Sequence, residues 1–467
     1  MKIKFLGATD TVTGSKHLLI TGKGRQYLLD CGLYQGLGRE TDELNRHLGL
    51  NPHNIEAVLL SHAHIDHSGN LPYLVKSGFR GKIYCTPATY DACEILLMDS
   101  AHIHENDIRY INKRRLKKGF DPIKPLYTTK DAEECLKQFR PIPFLTEFRL
   151  SEELSFHFTE AGHIIGSAAI QITSYEDGHT VRLCFSGDVG RYQDLILKAP
   201  EPFGQCDYII CESTYGDSLH ESSEDSEQRL LNIIQRTCVD KKGKLIIPAF
   251  SLGRTQEIVY MLNNLANKKL LPKLKVFVDS PLSSKATQVM RKHTQLFNEA
   301  VRASLCQDPD PFDFEDLIYV EDIKDSKLLN DLQEPCIIIS ASGMGDAGRV
   351  KHHLSRTVGD QRNTVLITGY CSPHTLGADL LAGKKEVHIF GEYYKVEAEV
   401  QSIQALSAHA DYEELLRFLA CQNKTKIKTI FLVHGEQKAK EGFRTHLLQE
   451  AYANVLLPGK GESFVLS

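Results

Sequence analysis

The chain has 467 residues, of which 42% are apolar and 25% charged, and its net charge is −5. That length suits two or perhaps three domains with ample cores, and the balance excludes a disordered or fibrous protein. A net negative chain is also not one that coats nucleic acid through an excess of Lys and Arg.

The opening, Met1 to Leu6, runs straight into a glycine-containing turn without an export-signal pattern. No stretch approaches the roughly 20 apolar residues that span a bilayer, so a protein without membrane association is expected. Apolar runs rich in Val, Ile, Leu and Tyr then alternate with Gly, Asp and Pro: IKFLGA, SKHLLITGKGRQYLLDCG, IEAVLLSHAHIDHSG and KIYCTP. These read as strands. From about Asp91 to Gly119 the spacing is helical with few breakers, which predicts a helical layer over the sheet. Within it, Arg109, Lys113, Arg114, Arg115, Lys117 and Lys118 form a dense basic stretch. A solvated helix face is its first reading, and phosphate steering its second. ELSFHFTEAGH, AAIQITSY and TVRLCFSGD resume the strands.

From about Ser223 helices and strands alternate: a polar helix to Cys238, KLIIPAF, a helix from Thr255, then KVFVDSP and a further helix. This βα repetition predicts a parallel, Rossmann-like sheet. It continues through EPCIIISASG and NTVLITGY to EVHIFG near Gly391. A polar helix from Tyr412, the strand TIFLVHGE and a closing strand near Phe464 end the chain. The 12 cysteines contain no CxxC pair. Free thiols in a reducing cytoplasm are therefore expected.

The chemistry concentrates in Ser61-His62-Ala63-His64-Ile65-Asp66-His67, directly after the apolar run AVLL. A lone histidine is usually a satisfied core residue, but imidazoles and a carboxylate crowded into one turn are the ligands of a borderline metal such as zinc. His62 and His64 can face one locus while Asp66 and His67 face its neighbour. His163 in EAGHIIGS and Asp188 in FSGDVG each end a strand-like run, where sites are commonly built.

At these residues the sequence resembles the metallo-β-lactamase superfamily, whose HxHxDH motif, later histidine and later aspartate occur here in order. The resemblance implies that His62, His64 and His163 hold one metal, that Asp66 and His67 hold a second, and that Asp188 bridges them. Asp30, ending YLLDCG, matches the first motif and would orient the ligand loop from behind. Glu212 in CESTYG, His409 in LSAHADY and His434 in LVHGE match the further motifs of the β-CASP branch, as do the segments DSPLSSKAT and SASGMGDAGRVKHHL. By that resemblance the fold is an αββα sandwich formed by residues 1–210 and 401–467, with a Rossmann-like β-CASP domain, 211–400, inserted.

A histidine at position 434 marks RNA-acting members of the branch. The SAHAD and LVHGE motifs are similar to those of the RNA endonuclease subunit of the cleavage and polyadenylation specificity factor and its compact prokaryotic relatives. One departure is GYCSPHTLG, where relatives usually carry glycine in place of His374.

The implied function is a two-zinc ribonuclease, with manganese as the alternative metal. It would leave 5′-phosphate and 3′-hydroxyl ends, acting as an endonuclease in preference to a 5′ exonuclease. His434 completes the second metal's ligands, and His409, Glu212 and Asp66 are the catalytic residues. His409 would protonate the leaving oxygen while Glu212 holds it charged. Ser340 and Ser342 are candidate phosphate contacts. The partner is RNA, and a homodimer follows from the resemblance alone. Two rival readings are a small-molecule hydrolase of the same fold, which would need no inserted domain, and a non-catalytic scaffold, which would have lost metal ligands.

Overall fold

Strand Lys2–Gly7 buries Ile3 and Phe5 completely and leaves Lys2 in water, the period-two pattern of a strand with one face in a core. Leu154–Glu160 and Ala168–Glu176 are buried on both faces for most of their length, as strands covered from two sides are. The computed structural model describes residues 1–467 apart from 39, 177, 221–224, 370, 372–373 and 404–405. The chain divides into two compact units, Met1–Leu219 with His409–Ser467, and His220–Ala408.

The first unit contains two seven-stranded sheets. One runs in the order Ser463–Val465, Lys2–Gly7, Lys16–Ile20, Gln26–Leu29, Ile55–Leu59, Lys82–Cys85 and Phe139–Pro141. The other runs Val455–Leu456, Thr429–Val433, Tyr208–Glu212, His179–Phe185, Ala168–Glu176, Leu154–Glu160 and Phe148–Arg149. Their inner faces share one core, with Phe5, Leu29 and Leu59 from the first sheet meeting Phe158, Ile170, Phe185 and Phe431 from the second. Helices Tyr412–Leu419 and Gln437–Gln449 cover the outer face of the second sheet through Leu415, Phe418, Phe443 and Leu447. The layers are therefore helix, sheet, sheet, helix. Strands Lys2–Gly7, Gln26–Leu29, Ile55–Leu59, Leu154–Glu160, His179–Phe185, Tyr208–Glu212 and Thr429–Val433 all have a site residue, or a neighbour of one, at or just beyond their C-terminal ends.

The helical stretch expected from about Asp91 is one helix, Pro87–Lys117. It covers the fold only in its first half, where the last buried residue is Ala101. Apolar residues continue at Ile103, Tyr110, Ile111 and Leu116, but they stand in solvent.

The second unit is a six-stranded sheet in the order Leu317–Tyr319, Lys275–Val278, Cys336–Ser340, Leu245–Pro248, Thr364–Ile367 and Glu399–Ser402. Every pairing is parallel, as the βα alternation predicts. The expected last strand, EVHIFG, is not in this sheet. Glu386–Ile389 pairs antiparallel with Glu392–Lys395 in a separate hairpin, and Glu399–Ser402 takes the edge position. His374 sits at φ 68, a backbone region that glycine enters without steric cost.

Candidate metal centre

The ligand loop follows Ile55–Leu59, and His64 to Ser68 close it as a single helical turn, Ile65–Ser68. Asp30 fixes it. Its Oδ1 accepts the Ser61 amide at 2.8 Å, and its Oδ2 accepts the hydroxyls of Ser61 at 2.9 Å and Ser15 at 3.2 Å. Nδ1 of His67 lies 2.6 Å from the same Oδ2, which turns Nε2 of that ring toward the centre. Asp30 adopts φ 57 and His434 φ 52. Both are costly conformations for residues with a side chain, of the kind that clusters at functional sites. The His434 amide is held there by the Ala8 carbonyl at 2.7 Å, and Ala8 is itself at φ 49.

The side chains converge in two sets. Nδ1 of His64 is 3.2 Å from Nε2 of His62 and 3.2 Å from Nε2 of His163. Nε2 of His434 is 3.2 Å from Nε2 of His67 and 3.4 Å from Asp66 Oδ2. Asp188 stands between the sets. Its Oδ2 is 3.4 Å from His62 and 3.5 Å from His163, and its Oδ1 is 3.3 Å from His67 and 3.5 Å from His434. That Oδ1 is buried and makes no hydrogen bond.

Ring nitrogens facing one another, around a buried carboxylate oxygen that accepts no hydrogen bond, do not stabilise a fold by themselves. They are the donor set of a ligand sphere. Atoms bound at about 2.0–2.1 Å in a tetrahedron stand about 3.3–3.4 Å apart, and the separations of 3.2 to 3.5 Å match that spacing. His62, His64, His163 and Asp188 form one such group, Asp66, His67 and His434 another, and Asp188, Glu212, His409 and His434 a third. The residues therefore fit a metal centre.

Charge tuning agrees. Burial, reinforced by the neighbouring His67, lowers His62 to about 3, and burial lowers His64 to about 4 and His163 well below its ordinary value. Neutral imidazoles can donate a lone pair to a cation. Burial pushes Asp188 and Asp66 up, but the surrounding histidines outweigh it and hold both carboxylates ionised. His67 is the exception: burial opposes its charge, but Asp188 and Asp30 overcome it and raise the group well above 6.5, so this ring must release a proton when it takes a cation.

Beside the cluster, Nδ1 of His409 lies 3.1 Å from both oxygens of Glu212. Burial lowers the pKa of this histidine, but the Glu212 carboxylate prevails and brings it to about 9. Glu212 is itself anchored, accepting the Val189 amide and the Thr214 hydroxyl at 2.6 Å each. The ring of His409 is 4.4 Å from that of His163 and 5.9 Å from that of His434.

Two residues inside the motifs carry roles that the sequence reading did not assign. Thr214 links Glu212 to Nδ1 of His434 at 3.1 Å, and Ser61 joins Asp30 to His62. Each lies within a quoted motif next to a site residue, the only signal either carries. Ser340 and Ser342 belong to the second unit. Ser340 is buried and donates to the Asp279 carbonyl at 2.9 Å, while Ser342 bonds with the backbone of Ala347.

Fold and cluster together define a metal-binding hydrolase. A family model described as the metallo-β-lactamase superfamily matches residues 11–231, one described as the Beta-Casp domain matches 255–380, and a Zn-dependent metallo-hydrolase RNA specificity domain matches 393–458. The chain is 34% identical over 438 residues to Ribonuclease TTHA0252 of Thermus thermophilus, covering 94% of each protein. It is 29% identical to an RNase J-like protein of Methanocaldococcus jannaschii, covering 98% of each. It is also 29% identical to Cleavage and polyadenylation specificity factor 73 of Drosophila melanogaster, there covering 97% of this chain and 62% of the relative. The chain belongs to the β-CASP branch of the metallo-β-lactamase superfamily.

Proposed function

We propose that the protein is a two-zinc ribonuclease that hydrolyses RNA to 5′-phosphate and 3′-hydroxyl ends, cutting internally in preference to trimming from the 5′ end. The observation that carries this reading is the Glu212–His409 pair, a charged histidine held 3.1 Å from a carboxylate at the rim of a metal cluster. A small-molecule hydrolase of the same fold has no need of that pair or of the second unit. The relatives named for RNA cleavage support RNA as the substrate.

Paired zinc ions supply activated water near neutral pH and offset the negative charge of the phosphodiester. His62, His64 and His163 would hold one, Asp66, His67 and His434 the other, and Asp188 would face both. The ribose oxygen that leaves needs a proton. His409, charged below about pH 9, donates it, and Glu212 fixes the ring so that Nε2 points away from the carboxylate. Thr214 keeps Glu212 and His434 in register. Asp30 acts through His67, and Ser342, whose bond to the Ala347 carbonyl is long at 3.5 Å, is the candidate phosphate contact ahead of Ser340, which donates to the Asp279 carbonyl at 2.9 Å.

All 12 cysteines are free thiols, and no helix among the described residues is long and apolar enough to cross a membrane. The thiols support a reducing compartment, the cytoplasm. A homodimer follows from resemblance, and sedimentation tests it. The main experiment incubates zinc- or manganese-supplied protein with RNA labelled at either end. Discrete internal fragments carrying 5′-phosphates support the reading, a ladder from one end makes the enzyme an exonuclease, and intact RNA beside a hydrolysed thioester would replace the substrate class altogether.

A further inference from the structure

The outer half of helix Pro87–Lys117 plays no part in the metal centre. Its inner half packs through Ala92, Cys93, Leu96 and Leu97, but from His102 to Lys124 no residue is buried. This projection is nonetheless a defined structure. The returning chain is tied to the helix by the Asn112 side chain, which donates to the Ile123 carbonyl and accepts its amide at 2.9 Å each, and by Arg115, whose Nε donates to the Asp121 carbonyl at 2.8 Å.

On this projection the residues from Arg109 to Lys118 include six Lys and Arg and no acid, in a chain of net charge −5. Arg109, Lys113 and Lys117 recur every fourth residue and are exposed, so they form one ridge with steps of about 6 Å. Beside the ridge Tyr110 is 59% exposed, with the Arg114 guanidinium 4.7 Å over its ring. Phe120 is 57% exposed next to Arg115.

A regular line of cations flanked by aromatic faces in solvent is the combination that holds single-stranded nucleic acid, the cations following phosphates and the rings stacking bases. A second copy of the chain is disfavoured as the occupant, because a two-fold contact through this face would set the cationic ridge against itself. We propose that the outer half of the helix is a docking arm for single-stranded RNA, with Arg109, Lys113 and Lys117 along the phosphates and Tyr110 under a base.

The proposal rests on the ribonuclease reading, since the strand held is the strand cut. The helix begins beside the ligand loop of His163, where Thr86 and Thr89 donate to the Gly166 carbonyl at 2.7 and 2.9 Å. Arg109 lies about 33 Å further along the helix axis. Only a long RNA can occupy both places.

The test compares wild-type protein with the triple variant Arg109→Gln, Lys113→Gln, Lys117→Gln and, separately, with Tyr110→Ala. The probes are fluorescent oligoadenylates, one long and one a tetranucleotide, followed by anisotropy over a salt series with chelator present to stop cleavage. For the long probe the triple variant should bind at least about tenfold more weakly at low salt, with its salt slope reduced by about 2, the value for three lost single-strand phosphate contacts. Tyr110→Ala should weaken binding roughly tenfold with the slope kept, as the loss of one stacked base requires. Tetranucleotide binding, bis(p-nitrophenyl) phosphate turnover in the metal-loaded protein and thermal melting should all stay as in wild type. Unchanged affinity and slope for the long probe would overturn the arm while leaving the ribonuclease reading intact. An equal loss on the tetranucleotide, or a changed sedimentation coefficient, would overturn it in favour of a global defect or a self-contact. Wild-type protein that neither binds nor cuts RNA would sink both proposals.

Discussion

His409 meets Glu212 through both carboxylate oxygens at 3.1 Å; the groups of His62, His64, His163 and Asp188 and of Asp66, His67 and His434 form without it, while a third group joins it to Asp188, Glu212 and His434. Its place, as proton donor or as ligand, is testable. His409→Ala should lower RNA turnover by about 10²–10⁴-fold, the range for a lost proton donor, while elemental analysis finds the metal content of wild type. A matching loss of metal would assign His409 to the ligand sphere instead. Glu160 makes a different argument. It is 5% exposed, and burial, aided by the nearby Glu201 and opposed by the Gly162 amide, raises it from 4.5 to about 8. The folded state therefore keeps this proton where the unfolded chain releases it, and between those values stability falls as pH rises. Glu160→Gln cannot lose the proton. Denaturant titrations across that window should show a flatter pH dependence for the variant, and a slope equal to that of wild type would refute the assignment.

At the scale of elements, the site depends on how tightly neighbouring loops approach. Gly32 follows the strand Gln26–Leu29, and a Cβ built on it would lie 1.5 Å from the Asp66 carbonyl oxygen. No side-chain motion relieves a clash with backbone. Gly32→Ala should therefore displace the ligand loop, with loss of bound metal in elemental analysis and destabilisation of more than about 3 kcal/mol in denaturant titration. Stoichiometric metal at wild-type stability would show that the loop yields. The ligand loop was legible in the sequence because its residues are adjacent and follow a recognisable strand. His163 and Asp188 were legible as strand ends, and motif order supplied the rest. What stayed hidden depends on pairing rather than pattern. EVHIFG does form a strand, but nothing in it declares that its partner is the next segment rather than the parallel sheet. The apolar spacing of Ile103, Tyr110 and Leu116 continues that of the buried Leu96 and Leu97, and periodicity alone does not say where the covered surface ends. Thr214 and Ser61 are small polar residues whose roles exist only through side chains that the fold brings to them.

For the whole molecule, the division of labour between the two units has a thermodynamic consequence. Every proposed ligand, together with Glu212, His409 and Asp30, lies in Met1–Leu219 or His409–Ser467. The second unit has its own core, built on Ile246, Ile338, Leu354, Val365 and Ile389, and no ligand of the centre. A cation that binds only the folded state adds stability that grows with its concentration, about 2.7 kcal/mol at a hundred times its dissociation constant. It adds this only to the cooperative unit whose unfolding scatters its ligands. In the absence of metal that unit also keeps the ionised Asp188 carboxylate out of water, which costs stability that the cation offsets. Scanning calorimetry of the full chain, first loaded with zinc and then treated with chelator, should therefore show one transition moving to lower temperature while the transition of the inserted unit stays in place. A single transition that moves as a whole would mean that the two units unfold together. Two transitions that both ignore the chelator would remove the metal centre from the account of this protein.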